Sequence, residues 1–239
     1  MSVIVSRVLI DGRLGGMELL DALRTTGAVR DFRPDPVPDD VLYRVLDTAR
    51  FAPSGGNQQG WHLVVVRDPD KKRAVRDLYL PGWYEYVGMT MAGLRPWAPT
   101  NDRDAEAATT PAPPGDGFAE HLDEVPLLLA LFVDLSVLAA VDRDADRYSF
   151  AGGASLYPFA WNLLLAGRAE GLGGVITTMC IRRENEMKAL LGAPDKFALA
   201  AVIAMGYPTK EFRRLKRAAV EDFATVDAFN GARLRLSHA

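Results

Sequence analysis

The residues best suited to chemistry form a loop of glycines and amides, Ala52-Pro-Ser-Gly-Gly-Asn-Gln-Gln-Gly-Trp61. Pro53 ends the preceding helical pattern, because its ring prevents the helix from continuing. Ser54 and the two glycines after it give a tight turn that a flat ligand can approach closely. Asn57 and Gln59 add amides that both donate and accept hydrogen bonds. A loop without an acid or a nucleophile favours holding a heterocycle over cleaving a bond, although any α/β protein contains helix-to-strand loops.

Three further segments carry groups that could bind an anion or a ring. Thr26-Gly-Ala-Val-Arg30 ends in a guanidinium, whose planar fork of donors suits phosphate, but an isolated arginine is more often a surface residue. Gly171-Leu-Gly-Gly174 follows the strongest helical pattern, at a place where glycines usually end a helix. The basic run Arg213-Arg-Leu-Lys-Arg217 could hold a phosphate or could simply be solvated.

Several other kinds of site are absent from the sequence. The glycines at 171, 173 and 174 do not complete a dinucleotide fingerprint, since Ile176 stands at its last glycine position. The single cysteine, Cys180, has apolar neighbours, which predict a buried and unreactive thiol. The three histidines are scattered and show no metal-ligand spacing. A net charge of −3 argues against a nucleic-acid binder. If the chain is an enzyme, a bound cofactor must do the difficult chemistry.

The pattern Ala-Pro-Ser-x-x-Asn-x-Gln-x-Trp at 52–61, downstream of Arg30-x-Phe32 and Pro36-Val-Pro38, resembles the FMN-dependent nitroreductase family. The other segments occur in the order in which that family has them. Thr26, Gly27 and Ala28 depart from the family's usual Arg, Arg and Ser, which weakens the expected phosphate site and leaves Arg24 as a possible substitute. Gly60 stands where the family usually has proline.

The resemblance implies that all four segments bind FMN. The first grips the phosphate and the ribityl chain, and the second packs along the isoalloxazine from the partner subunit. The third places backbone amides against the N5 and O4 edge of the ring, and the fourth contacts the phosphate. The cofactor-binding residues assigned in this way are Thr26, Gly27, Ala28, Arg30, Pro53, Ser54, Asn57, Gln59, Leu172, Gly173, Gly174, Lys216 and Arg217. No side chain is assigned a catalytic or metal-binding role.

The fold expected from the resemblance is α+β, a nitroreductase-like three-layer α/β/α arrangement with a mixed central sheet flanked by helices. Residues 1–239 form a single domain, and residues 1–16 show no firm pattern. Residues 99–117 have the composition of a flexible loop. Residues 209–239 form a tail that wraps around the partner in a homodimer with C-terminal arm exchange. The hydrophobic patterns predict strands at 62–67, 125–133, 175–179 and 199–205, and helices at 17–24, from Pro38, 69–80, 83–98, 154–170 and 184–191.

The activity implied is reduction of an electron-poor small-molecule acceptor, such as a nitroaromatic or a quinone, by NADH or NADPH through FMN. Two alternatives remain open. One is specialised chemistry on the same fold, namely flavin fragmentation, reductive dehalogenation or natural-product oxidation, and the other is flavin binding without turnover. Trp83, Tyr84, Tyr86 and Trp97 could line a substrate pocket or belong to the core. No apolar run approaches the roughly 18 residues of a membrane span, so we expect no membrane partner and a cytoplasmic location.

Overall fold

The structure is a computed structural model that describes residues 17–147, 150–210 and 215–236. Residues 1–16, Arg213 and Arg214 lie outside these ranges. The helices are α1 Leu19–Thr25, α2 Asp39–Ala49, α3 Pro69–Met91, α4 Arg103–Ala107, α5 Tyr157–Ala169 and α6 Glu184–Leu191. The strands are β1 Trp61–Val66, β2 Leu127–Asp134, β3 Gly173–Thr177 and β4 Phe197–Gly206. Each of the four predicted strands is therefore present, within a few residues of its predicted bounds.

The strands form one four-stranded sheet in the order β1-β2-β4-β3. All pairings between these strands are antiparallel, with Trp61 opposite Val133, Leu127 opposite Met205, and Gly173 opposite Gly206. Within the described ranges, the parallel component of the predicted mixed sheet is the isolated bridge between Ala28 and Gly174. β1 and β3 are consequently the two edges of the sheet.

β2 has no solvent-facing side, because every residue from Leu127 to Val133 is buried. Its alternate side chains enter two separate apolar clusters. Leu127, Leu129 and Leu131 pack with α2 and α5, whereas Leu128 and Phe132 pack with α3 and α6. Helices therefore cover both faces of the sheet, and the predicted three-layer α+β arrangement is confirmed.

The predicted break between helices near Leu80 is wrong, because α3 runs without interruption through Pro81. Proline removes one backbone donor and usually ends a helix. Here the helix is held by its packing on both sides of that position. Tyr79 stacks on Trp83 and Trp83 stacks on Tyr86, with ring centroids 6.2 and 5.7 Å apart. Gly82 lets the backbone approach the 3₁₀ turn that follows β3, since an added Cβ would lie 3.3 Å from Arg182 Cδ.

The segment 99–117, whose composition predicts a flexible loop, contains the short helix α4 and lies against α3. The amide of Ala112 donates to the carbonyl of Tyr84 at 2.9 Å. Gly88 makes this approach possible, because an added Cβ would meet Pro111 Cα at 3.1 Å. The segment is thus anchored on the helix at its C-terminal half, and its mobility stays a prediction.

His121 lies between two carboxylates in the loop before β2. Its Nε2 is 2.6 Å from Asp116 Oδ1, and its Nδ1 is 3.0 Å from Glu124 Oε1. The hydrogen bonds with Asp116 and then Glu124 favour the imidazolium and raise the pKa of His121 from 6.5 to about 9. The ring is therefore protonated at neutral pH and ties the two ends of this loop together.

The substitution His121→Gln should remove a pH-dependent contribution to stability. Because folding raises the pKa of His121, the contribution is fully present below the unfolded pKa of 6.5 and is lost as the pH rises through about 9. The difference in Tm between wild type and variant should therefore shrink across this interval, as measured by calorimetry. His62→Gln, at an exposed position on β1, is the control. A difference that stays constant with pH would contradict the assignment.

Candidate functional site

The structure brings the first and third predicted segments together at the exposed edge of β3. Ala28 forms a parallel bridge with Gly174, and the amide of Val29 donates to the carbonyl of Gly174 at 2.9 Å. Ala28 is exposed and Val29 is buried against the sheet. The chain after α1 therefore continues along the edge of the sheet, and this places the first segment beside the start of β3.

Gly173 makes this approach possible, and Gly174 permits close packing of β3 on β4. An added Cβ on Gly173 would lie 2.7 Å from Val29 Cγ2, and one on Gly174 would lie 2.7 Å from the carbonyl oxygen of Ala204. Gly171, in contrast, ends α5 with a φ of +80° and has nothing within 4 Å of an added Cβ. The glycine run therefore ends a helix at its first position and permits close packing at its last two. The amide of Leu172 is already used, since it donates to the carbonyl of Gly167 at 2.8 Å.

A narrow cleft lies between the first segment and β3, with a cavity volume of about 10 Å³, which is room for about one water molecule. Thr26 is buried in its wall, and Thr26 Oγ1 has no hydrogen-bond partner among the described residues. Such a hydroxyl costs about 1–3 kcal/mol relative to a paired one. Thr26 is thus a group that a polar ligand would satisfy. The cleft is lined by Thr25, Thr26, Gly27, Val29, Leu164, Arg168, Leu172, Gly173, Gly174, Pro208 and Lys210.

The predicted cationic residues do not all meet at this cleft. Arg30 is exposed and lines a different cavity of about 520 Å³ on the side of residues 116–126. The chain turns away after Arg30, because the amide of Arg33 donates to the carbonyl of Tyr207 at 2.8 Å. Lys216 and Arg217 are both exposed and are not among the described residues that line the cleft. Lys210 supplies the cation there instead, together with Arg168.

Lys210 and Arg168 were not identified from the sequence. Lys210 lies two residues after Pro208, and we assigned the phosphate contact to the basic run further along the tail instead. Arg168 reads as one of the ordinary charged residues in the last turn of a helix. Both residues reach the cleft through contacts between distant parts of the chain, and the local sequence carries no signal for such contacts.

The glycine and amide loop has an unusual backbone. In this loop, which joins α2 to β1, three residues have positive φ angles: Gly56 (+57°), Asn57 (+55°) and Gln59 (+51°). Ser54 Oγ accepts a hydrogen bond from the amide of Gln59 at 2.9 Å, and the amide of Gly55 donates to Ser155 Oγ at 2.9 Å. Pro53, Asn57 and Gln59 are exposed. Asparagine tolerates this left-handed conformation, whereas it is uncommon for glutamine, and uncommon backbone conformations are concentrated at functional sites.

This loop and the cleft lie at opposite corners of the sheet. The loop enters β1, at one edge, where Trp61 pairs with Val133 at the end of β2. Gly173 starts β3, at the other edge, and pairs with Gly206 at the end of β4. Three strand spacings and most of the length of β4 separate the two, a distance of roughly 25 Å. One chain therefore does not bring its own loop to its own cleft.

Two other residues serve packing: Trp61 is half-buried against one core cluster, and Cys180 lies within the other. Trp61 stacks on Phe159 with ring centroids 4.7 Å apart and joins the cluster beneath α5. Cys180 is buried, and burial raises the pKa of its thiol to about 12. Both observations favour the core interpretation, and a thiol of this kind is unreactive at neutral pH.

The described ranges contain no group of three or more His, Cys, Asp and Glu side chains arranged to hold a metal ion. Among the helices in the same ranges, none combines the length and the apolar character needed to cross a bilayer.

Residues 23–207 match the model of the nitroreductase family, and the chain belongs to this family. The match includes the first, second and third segments. A protein of Thermus thermophilus named NADH dehydrogenase is 33% identical over 184 residues, which cover 77% of this chain and 83% of that protein. Mouse iodotyrosine deiodinase 1 is 28% identical over 199 residues, covering 83% of this chain but only 65% of the deiodinase.

Among solved structures, the NADPH:FMN oxidoreductase of Vibrio harveyi in complex with NAD⁺ resembles this chain with a TM-score of 0.60. The sequences are 17% identical, and the superposition covers 91% of this chain and 79% of the other. At this level of identity the likeness concerns the fold. It agrees with the layered architecture of helices on both faces of the sheet.

The substitution Gly174→Ala should destabilise the protein by about 1–3 kcal/mol, because the new methyl group would press on the backbone of β4. Urea denaturation measures this change. Gly117→Ala is the matched control, since its added Cβ would be 3.7 Å from a flexible carboxylate oxygen of Glu120. A loss no greater than that of the control would show that close packing does not explain Gly174.

Proposed function

We propose that this chain is an FMN-dependent oxidoreductase that uses NADH or NADPH to reduce an electron-poor small-molecule acceptor. The observation that carries the proposal is the cleft at the edge of β3, where a buried hydroxyl that has no partner among the described residues lies near glycine backbone and a lysine. The family assignment supports the same conclusion. When bound, FMN would supply the redox chemistry by accepting a hydride and passing two electrons to the acceptor.

The cleft has room for about one water molecule, so a phosphorylated, hydroxylated ligand would bind at its mouth, and the chemistry of the residues there suits such a ligand. Thr26 Oγ1 lacks a partner in the described structure and would gain one from a hydroxyl or phosphate oxygen. Lys210 offers the positive charge that a phosphate needs in a protein with a net charge of −3. Thr26, Gly27, Ala28, Gly173 and Gly174 would therefore hold the cofactor together with Lys210. Lys216 and Arg217 would add charge from the tail.

The separation of the loop from the cleft supports a site built by two copies of the chain. Pro53, Ser54, Asn57 and Gln59 would cover the flavin ring of the partner, because they lie too far from the cleft of their own chain. Apolar side chains that are exposed in one chain are consistent with a homodimer: Leu19, Leu20, Tyr43, Phe51, Phe223 and Phe229. We propose that residues 215–236 lie on the partner, as expected for a wrapping tail.

A halogenated aromatic is a second candidate acceptor. The 28% identity with mouse iodotyrosine deiodinase 1 over most of this chain favours it. Reductive dehalogenation would use the same cofactor site and the same reductant. The acceptors that reoxidise the reduced protein would distinguish the two reactions.

The proposal predicts that the purified protein carries the absorbance bands of oxidised flavin and that NADH or NADPH bleaches them without oxygen. A nitroaromatic, a quinone or an iodophenol should then restore the bands if it is an acceptor. Bands that persist with both nucleotides would identify a flavin-binding protein without this activity. A colourless protein that takes up no added FMN would refute the cofactor assignment.

A mixed dimer tests whether two chains build each site. Lys210→Glu disables the cleft, and Asn57→Gly removes an amide from the loop while tolerating its positive φ. Each variant alone should bind FMN weakly. Dimers that contain one copy of each, isolated through two different tags, should regain one intact site, because one site then combines the two unaltered segments. Mixed dimers that bind FMN no better than the variants would show that each chain forms its site alone.

A further inference from the structure

Three aromatic rings of α3 form a continuous row that runs from the core to the surface. Tyr79, Trp83 and Tyr86 are spaced by four and three residues and therefore lie on one face of the helix. The ring centroids of Tyr79 and Trp83 are 6.2 Å apart, and those of Trp83 and Tyr86 are 5.7 Å apart. The exposed fraction rises from 3% at Tyr79 to 36% at Tyr86. The row thus connects a buried point of the molecule to solvent.

The inner end of the row contacts the strand that forms the candidate site. Thr177 Oγ1 donates a hydrogen bond to the hydroxyl of Tyr79 at 3.3 Å. Thr177 ends β3 and is three residues from Gly174, a distance of roughly 10 Å along the strand. Tyr79 is therefore an oxidisable side chain close to the proposed cofactor site.

The outer end of the row is suited to holding a radical. Tyrosine loses its phenolic proton when an electron is removed, and Tyr86 can release this proton to water because it is exposed. Burial raises the pKa of the Tyr79 phenol and disfavours the same release there. Trp97 lies beyond Tyr86, but Arg182 Cζ is 4.2 Å from the centre of its ring, and this positive charge disfavours removal of an electron from it. The ion pair of Arg182 with Glu85, at 2.9 Å, keeps the guanidinium in this position.

The distances make Trp83 a relay between the two tyrosines. Electron transfer through a protein slows steeply with distance, so two short steps are much faster than one long step. Tyr79 and Tyr86 are separated by roughly 10 Å along the helix axis. The steps through Trp83 are 6.2 and 5.7 Å between ring centroids. An electron therefore moves along the row most rapidly through Trp83.

We propose that Tyr79, Trp83 and Tyr86 form an electron-transfer path that carries a one-electron vacancy from the flavin side of β3 to the protein surface. The inference rests on the proposed function, because bound FMN supplies the oxidant. Oxidised flavin excited by light takes one electron from the row, the vacancy moves through Trp83, and Tyr86 loses its phenolic proton to water. A soluble thiol then returns one electron and one proton to Tyr86. The vacancy is thereby removed from the side chains around the cofactor.

Electron paramagnetic resonance of the full-length, FMN-loaded protein tests the inference, after brief illumination without oxygen or thiols and rapid freezing. The wild type should show a tyrosyl radical, and Tyr86→Phe should lose it. Trp83→Phe should lose it as well, because the relay is removed while an aromatic ring keeps the packing. Tyr84→Phe is the matched control and should keep the radical, since Tyr84 lies on a different face of α3. Thermal melting of each variant shows whether it is folded.

Pulse radiolysis provides a second measurement that needs no FMN. Azide radicals remove one electron from tryptophan, and in the wild type Tyr86 should then reduce the oxidised Trp83 or Trp97. The tryptophanyl radical should therefore convert to a tyrosyl radical at a rate that is independent of protein concentration. The fast phase of this conversion should be lost in Tyr86→Phe and retained in Tyr84→Phe.

Equal yields of the tyrosyl radical in wild type and Trp83→Phe would overturn the inference, since the vacancy would not pass through the relay. Bound FMN that produces no tyrosyl radical on illumination would overturn it too. If the protein took up no FMN, the proposed function would fail, and the pulse measurement would decide the path separately. Equal conversion rates in wild type and Tyr86→Phe would then refute the path, whereas loss of the fast phase would support it.

Discussion

Burial of β2 on both faces is the constraint on which the rest of the structure depends. A strand with the sequence Leu-Leu-Leu-Ala-Leu-Phe-Val cannot face water on either side without exposing large apolar side chains. It therefore needs neighbours at both edges and helices above and below. β1 and β4 pair with β2 on its two sides. The helices α2 and α5 cover one face of the sheet, and α3 and α6 cover the other. β3 is left as an open edge, and the candidate site forms there.

The segment after α1 can lie along the edge of β3 because this strand begins with two glycines. At Gly173 and Gly174 the sheet has no Cβ atoms, so the chain after α1 approaches closely enough for the bridge with Ala28. A side chain at Gly173 would push this segment away from the sheet, whereas one at Gly174 would press on β4 and α5. The same residues that allow the packing therefore also bring Thr26 to β3. The close packing at these glycines creates the cleft, and the proposed ligand site requires that cleft. The two explanations for the glycines are therefore compatible.

The continuous apolar runs and the strong helical patterns made the strands, α5 and α6 predictable from the sequence. The path of α3 was not predictable, because stacking of Tyr79, Trp83 and Tyr86 outweighs the local effect of Pro81. Motif spacing identified the segments that meet at β3. Motif spacing placed Arg30 and Thr26 in one site, whereas in the structure they line different cavities. The path of the chain after Arg30 involves the hydrogen bond from Arg33 to Tyr207, a contact between distant parts of the chain.

The placement of the glycine and amide loop has a thermodynamic consequence under the proposed function. If the loop of one chain completes the cleft of another, FMN binds the assembled pair better than it binds a single chain. Cofactor binding then stabilises the dimer, and dimer formation raises cofactor affinity by the same factor. The exposed apolar side chains of α1, α2 and the tail would give this association its driving force, and the glycine and amide loop would give it a specific ligand contact. Under the same proposal, a narrow cleft in one chain would be sufficient, because the second wall of the site would come from the partner.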